Sequence, residues 1–339
     1  MSQRQIVLSG MRSTGKLHLG HYFGTLRNWV ALQETHDCYF FAADWHALTS
    51  EYEDPRSVAA NTLDAFADWI AAGVDPERSV VFVQSMVPEH AELHLLLSMI
   101  TPLGWLERVP TYKEQLREIE ARDLSTYGFL GYPVLQTADI ILYRAHVVPV
   151  GEDQASHLEI SREIARRFNS LYGEVFPEPK ALFTPTPKVP GLDGRKMSKS
   201  YGNAINLSDP PDVIRKKCMS MFTDPTRIRR SDPGHPETCN LFAFHRLLSP
   251  PELAARVERE CRAAQIGCVD DKKLLAEQII AFLEPLQKRR AELTGDPGEL
   301  LRLLRRGSER ARERAHETMT AVRDALGLDY DRLLAARPA

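Results

Sequence analysis

The chain has 339 residues, 43% of them apolar and 26% charged, with a formal net charge of -3. This is the make-up of an ordinary globular protein long enough for two domains. It excludes a polycation, so any nucleic-acid contact must come from local patches. No apolar run approaches the roughly 18 residues of a membrane span, and the five cysteines do not read as a disulfide framework.

In chain order, Ile6-Val7-Leu8 reads as a buried strand ended by Ser9-Gly10. It begins so early that no room is left for a targeting peptide, which predicts a cytoplasmic protein. The span 15–28 then turns helical in period. A strand, a glycine turn and a helix start in that order aim backbone N–H groups and the positive end of the helix dipole at an anion. His18 and His21, with Gly20 between them, share a face of the first turn. As donors they suit phosphate or ribose oxygens, although without the lysine loop further on the plainer reading, that they cap or solvate the helix start, would win.

Residues 37–43 and 79–84 read as further buried strands, with Cys38 a core residue, and 56–72 and 89–100 as helices. This alternation predicts an α/β fold, a doubly wound parallel sheet of Rossmann type, with ligands at the carboxyl ends of its strands. His46 and Gln84 stand at such ends.

From 101 to 143 the rhythm breaks at Pro102, Gly104, Pro110 and Gly128 into a largely helical insertion between two halves of the sheet. It carries Lys113, by itself an ordinary helix lysine. It also carries a helix opened by Pro133, on which Tyr132, Gln136 and Asp139 fall along one stripe. Such a stripe is either a buried network or the wall of a pocket for an apolar substrate with one hydrogen-bonding edge. A strand at 146–150 follows, then the turn Gly151-Glu152-Asp153-Gln154 and a helix to about Asn169. At that helix start Asp153 and Gln154 suit ribose hydroxyls or an ammonium group, or Asp153 a simple cap.

After the glycine- and proline-rich approach 189–195 comes Lys196-Met197-Ser198-Lys199-Ser200, which can set two ammonium groups around one polyphosphate. Beyond a boundary near 205 the composition shifts to helices, predicting a smaller all-helical domain over 206–339 after a catalytic domain over 1–205. Two basic clusters lie there. The arginines at 302, 305, 306, 310, 312 and 314 are interrupted by Glu309 and Glu313 and read as a solvated, salt-bridged helix. Arg227-Ile228-Arg229-Arg230, on an irregular stretch, is the better RNA candidate.

Together, His18-Leu19-Gly20-His21 and Lys196 to Ser200 resemble the two signatures of class I aminoacyl-tRNA synthetases. With Tyr132 to Ile140 and Gly151 to Gln154 added, the whole chain resembles the bacterial tryptophanyl-tRNA synthetases. The resemblance implies activation of L-tryptophan by Mg²⁺-ATP, transfer to tRNA(Trp), an anticodon-reading helical domain, and a homodimer with no membrane attachment. It implies that Lys113, Lys196 and Lys199 act on the phosphates with His18 and His21 assisting. ATP would be held around Arg12, Ser13, Thr14, Gly20, His21, Gly151, Asp153, Val189, Lys196, Met197, Ser198, Lys199 and Ser200. Tryptophan would be held by Leu8, His46, Tyr132, Gln136, Asp139 and Gln154, with Asp139 accepting the indole N–H, since indole is donor only and a carboxylate acceptor only. A tyrosine hydroxyl could also donate to Asp139, so a tyrosyl enzyme is the sister reading, and an RNA-binding regulator without activity is the other. Gln136 stands where some members have methionine, and Arg12 where some have glutamine.

Some members of that family carry a four-cysteine iron–sulfur cluster in the region of Cys239, Cys261 and Cys268, but here Asp271 stands at the fourth place. A lost cluster, a cluster held by three thiolates and a carboxylate, and a zinc site are the three readings. Replacement of one thiolate weakens cluster binding, so an empty site is the expectation.

Overall fold

The computed structural model describes residues 4–109, 125–151, 155–183, 188–199 and 201–330. Five parallel strands form one sheet in the order β3-β2-β1-β4-β5. They are β1 Ile6–Arg12, β2 Asp37–Ala43, β3 Val80–Val83, β4 Val147–Val150 and β5 Lys180–Phe183. Four of these match the apolar runs. The fifth, β5, is an edge strand whose side chains are half-buried or exposed, so it carries no apolar signal. The strand order reverses beside β1, and the carboxyl ends of β1 and β4 part there to leave a crevice.

The helix after β1 starts at Leu19, later than its period suggests, and runs through a π-helical stretch, Tyr22–Leu26, to Leu32. A short helix, Asp44–Glu51, follows β2 directly and turns His46 back over the sheet. The described part of the 101–143 insertion is helical: Leu103–Leu106, Tyr127–Leu130 and Tyr132–Leu142.

Each sheet face has its own core. On one, Trp29 stacks on Phe40 with ring centroids 4.4 Å apart, against Phe66 and Trp69. That core continues without a break through Ile205 and Leu207 into the helices Asn240–Leu248 and Cys268–Gly295. On the other face Phe41, Phe82, Leu97, Ile141 and Phe168 pack with Ala311, Ala315 and Met319 of the last helix, Pro297–Ala325.

The last helix lies directly on β3. A Cβ at Gly307 would stand 1.8 Å from the Val81 carbonyl oxygen, so only glycine permits this approach. Its arginines clamp onto the sheet layer: Arg310 donates to the carbonyls of Pro76 and Ser79, Arg312 to Glu89 and Arg306 to Glu77. The expectation of a solvated helix is corrected in this respect, because these charges anchor one part of the molecule to another. Arg290, on the preceding helix, likewise donates to Asp68 at 2.6 Å and to Asp64. Gly307→Ala is expected to destabilise the fold by on the order of 3 kcal/mol through backbone overpacking. Thermal unfolding checks this, and an unchanged melting temperature would rule out the close contact. No helix among the described residues is long and apolar enough to cross a membrane.

Candidate active site

A cavity of about 480 Å³ opens at the carboxyl ends of β1 and β4, with Asp139 at one end and Arg12, Thr14 and His21 at the other. Tyr132, Gln136 and Asp139 all line it, so the polar stripe is a pocket wall, and Leu8 and His46 line it with them.

Asp139 is 1% exposed, and a buried carboxylate demands partners. It has three. Gln84 Nε2 and His90 Nδ1 each donate to Oδ1 at 2.7 Å, and His46 Nε2 donates to Oδ2 at 2.8 Å. Burial by itself raises the pKa of this group, but the hydrogen bonds from His46 and His90 outweigh it and hold the carboxyl well below the usual range. It is therefore an anion, with both lone pairs of Oδ1 engaged and one of Oδ2 left over among these contacts.

The donors are themselves oriented. Gln84 Oε1 accepts from the Trp45 backbone N–H at 3.2 Å, which fixes which end of the amide faces Asp139. The carboxylate can only accept, so His90 Nδ1 carries a proton toward it, and the other ring nitrogen, Nε2, is held by the Tyr143 hydroxyl at 2.7 Å. His90 and Tyr143 are fully buried. Sequence reasoning missed both and saw Gln84 only as a strand-end residue; the available signal was a polar residue on each apolar helix facing the strand ends.

At the other end, the two signature loops are tied by backbone pairing. Leu19 N–H donates to the Ile205 carbonyl at 3.0 Å and Leu207 N–H to the Leu17 carbonyl at 2.9 Å. This brings Lys199 across to the β1 turn, where its ammonium donates to the carbonyls of Thr14 and, at 3.0 Å, Gly15, whose φ is +73°. Burial pushes the Lys199 pKa down to about 8, with Asp68 pulling it up and Arg12 adding to the fall. His18 N–H donates to His21 Nδ1 at 3.1 Å, which leaves Nε2–H as the His21 donor. Burial, followed by repulsion from Lys199, pushes His18 down to about 4, and burial lowers His21 as well. Both rings are thus neutral near pH 7. One buried polar atom here, Ser13 Oγ, has no partner among the described residues. Gly20 is needed because its Cβ would lie 2.8 Å from the His18 ring.

The lysine loop is held by Asn203, which the sequence reading did not single out. Its Oδ1 accepts from Ser198 N–H at 2.9 Å, and its Nδ2 donates to Asp193 at 2.8 Å and to the Lys196 carbonyl at 3.2 Å. Met197 plugs into the core at 4% exposure and its N–H donates to the Val189 carbonyl, leaving Lys196 exposed. Gly151 is half-buried beyond β4. Lys113, Asp153, Gln154 and Ser200 lie outside the described residues. Of the residues proposed for a metal, Asp271 accepts from buried His245 at 3.0 Å, and among the described residues no three such side chains converge on a metal position.

An ionised acceptor at one end of a cavity, with Arg12 and neutral His21 at the other and the Lys199 ammonium beside Thr14, suits an apolar substrate with one N–H or O–H edge joined to a polyphosphate. Comparison with known proteins agrees. Residues 1–284 match the model of the family described as tRNA synthetases class I (W and Y). The chain belongs to that family. Its kin within it are the tryptophan–tRNA ligases: that of Thermotoga maritima is 52% identical over 96% of this chain and 99% of its own. That of Aquifex aeolicus is 47% identical over 95% and 99%. A crystal structure of tryptophanyl-tRNA synthetase from Campylobacter jejuni complexed with ADP and tryptophan superposes with a TM-score of 0.88 at 35% identity, covering 95% of this chain and all of that one.

Proposed function

We propose that the chain joins L-tryptophan to tRNA(Trp) at the expense of ATP, and that the cavity described above is where it does so. The observation that carries this reading is the ionised Asp139, held by three donors with an acceptor position left for the indole N–H. Tyr132 and Gln136 flank the bound amino acid, with Gln154 and Asp153 assigned to its ammonium and to the ribose. ATP lies over Thr14 and Gly20.

In the first step a carboxylate oxygen of tryptophan attacks the α-phosphorus in line, the bond to the bridging oxygen breaks, and pyrophosphate leaves. No general base is needed, since the nucleophile is already an anion. The residues supply position and charge: Lys199, Lys196 and Lys113 toward the phosphates, and His18 and His21 as neutral N–H donors. In the second step the terminal ribose of the tRNA takes the tryptophanyl group and AMP departs. Asp139 is the sole carboxylate among the described lining residues and is already occupied, so Mg²⁺ would be carried on the phosphates and water, where it neutralises their charge. Residues 206–339 are assigned to the anticodon end of the tRNA.

A homodimer in the cytoplasm completes the proposal. The dimer is supported by the exposed apolar side chains of Leu95, Met99 and Leu103, on two successive helices and the turn between them, and native mass spectrometry reads the subunit number. The chemistry is tested by exchange of labelled pyrophosphate into ATP with tryptophan, tyrosine or phenylalanine. Exchange is expected with tryptophan alone, phenylalanine failing because it leaves the buried acceptor unpaired. Exchange with tyrosine instead would move the chain to the sister activity, and none at all in folded protein would favour an RNA-binding regulator.

A further inference from the structure

We infer that in this chain the guanidinium of Arg227 stands where a four-cysteine arrangement would hold a metal, and that it is the cation pinning the segment 224–239 to the helices behind it. Those helices are Pro251–Arg262 and Cys268–Gly295. The inference does not depend on which amino acid the active site takes.

Arg227 points inward. Its Nη1 lies 3.9 Å from the sulfur of Cys261 and 3.9 Å from that of Cys268, between the two thiols. Its Nη2 donates to the carbonyls of Arg230 at 2.9 Å and Ile266 at 2.8 Å. One planar fork thus bridges its own loop, the turn between the two helices and both sulfurs, a task that suits guanidinium and that a lysine's point charge cannot reproduce. The remaining space is filled by chain. Gly234 N–H donates to the Cys261 carbonyl at 2.9 Å, and a Cβ at 234 would stand 2.4 Å from the Cys261 sulfur and 3.4 Å from Arg227 Nη1.

The fourth position has been turned to other use. Asp271 accepts from His245 Nε2 at 3.0 Å while His245 Nδ1 pairs with Ser249, so the carboxylate is engaged in a buried polar chain. A metal needs its donors around one point, and here Cys261 and Cys268 face a fixed positive charge, Asp271 is paired with a histidine, and no three such side chains converge among the described residues. The residues do not fit a cluster. This also corrects the reading of the Arg227–Arg230 cluster as one RNA-facing patch: Arg227 is the staple, whereas Ile228, 88% exposed, and Arg229 and Arg230 face outward.

The other end of the segment is fixed independently. Asp224 accepts from Thr226 N–H at 2.9 Å and from His235 N–H at 3.0 Å. Loss of Arg227 is therefore expected to loosen the segment and not to unfold the protein, and retained pyrophosphate exchange in each variant serves as the check on the fold.

The test uses the full chain purified without air. The unaltered protein is expected to hold iron and zinc far below one per chain and to gain no absorbance near about 400 nm on incubation with ferrous iron and sulfide. Asp271→Cys alone is expected to behave the same way, whereas Asp271→Cys combined with Arg227→Ala gains the absorbance. In Arg227→Ala, mapped alkylation of Cys261 and Cys268 is expected to speed up about tenfold as local opening becomes easier, and Arg227→Lys is expected not to restore protection. Stoichiometric metal in the unaltered chain, uptake by the Asp271→Cys single variant, no uptake by the double variant, unchanged alkylation in Arg227→Ala, or full protection by lysine would each overturn the inference.

Discussion

Asp139→Asn is expected to lower kcat/KM for tryptophan in pyrophosphate exchange by on the order of 10³-fold. Two effects add. The substitution replaces an anion by a neutral amide, weakening a charge-assisted bond to the substrate's N–H. It also places an amide NH₂ where every neighbour is already a donor: Gln84 Nε2, His90 Nδ1 and His46 Nε2 converge on this one side chain. At least one of them must then lose its acceptor inside the core. Because the pocket rather than the phosphate end is damaged, KM for ATP is expected to change little. His90→Gln keeps a donor but breaks the link to Tyr143, and an intermediate loss is expected for it. The pH dependence separates this residue from others. Its carboxyl is held well below the usual range, so it stays ionised through mildly acid conditions, and no fall in kcat/KM for tryptophan between about pH 5 and 7 is to be traced to its protonation. A loss of less than tenfold in Asp139→Asn would remove Asp139 from the centre of the reading.

The strands and the two ends of the cavity were legible in the sequence for different reasons. β1 to β4 are largely buried, β3 at one edge because the last helix covers it, so burial writes itself as apolar runs; β5, at the other edge, is half-buried or exposed and leaves no such trace. The stripe of Tyr132, Gln136 and Asp139 showed because a polar residue on an apolar helix is a local departure from period. What holds Asp139 did not show, since Gln84, His90 and His46 come from three elements, and only the sheet brings their ends together. Asn203 was hidden for a similar reason: a glycine–asparagine turn is commonplace, and its grip on the lysine loop is tertiary. The inward turn of Arg227 could not be read either, because a run of arginines looks the same whether one of them points into the protein or none does.

Lys199 is the second residue whose loss is expected to be severe. Lys199→Ala is expected to reduce kcat for adenylate formation by about 10²- to 10³-fold, with KM for tryptophan nearly unchanged, since a charge poised for the phosphates acts where charge develops. Its ammonium donates to the carbonyls of Thr14 and Gly15, which places the charge at the β1 turn, beside the seat assigned to the phosphates. The pH sign follows from its depressed pKa. A lysine is cationic below its pKa and neutral above it; with that value near about 8, kcat/KM for ATP is expected to fall as pH rises through about 8. The neighbouring triphosphate favours the charged form, so the same fall in kcat is expected at higher pH. Lys199→Arg keeps the charge across this range and is expected to lose the alkaline fall while working more slowly, because a planar fork does not sit on the two carbonyls as an ammonium does. Lys196, exposed on the outer side of Met197, supplies the control: Lys196→Arg is expected to keep the fall near pH 8. An alkaline limb that survives in Lys199→Arg would assign the titration to another group and leave Lys199 a structural tether between the two loops.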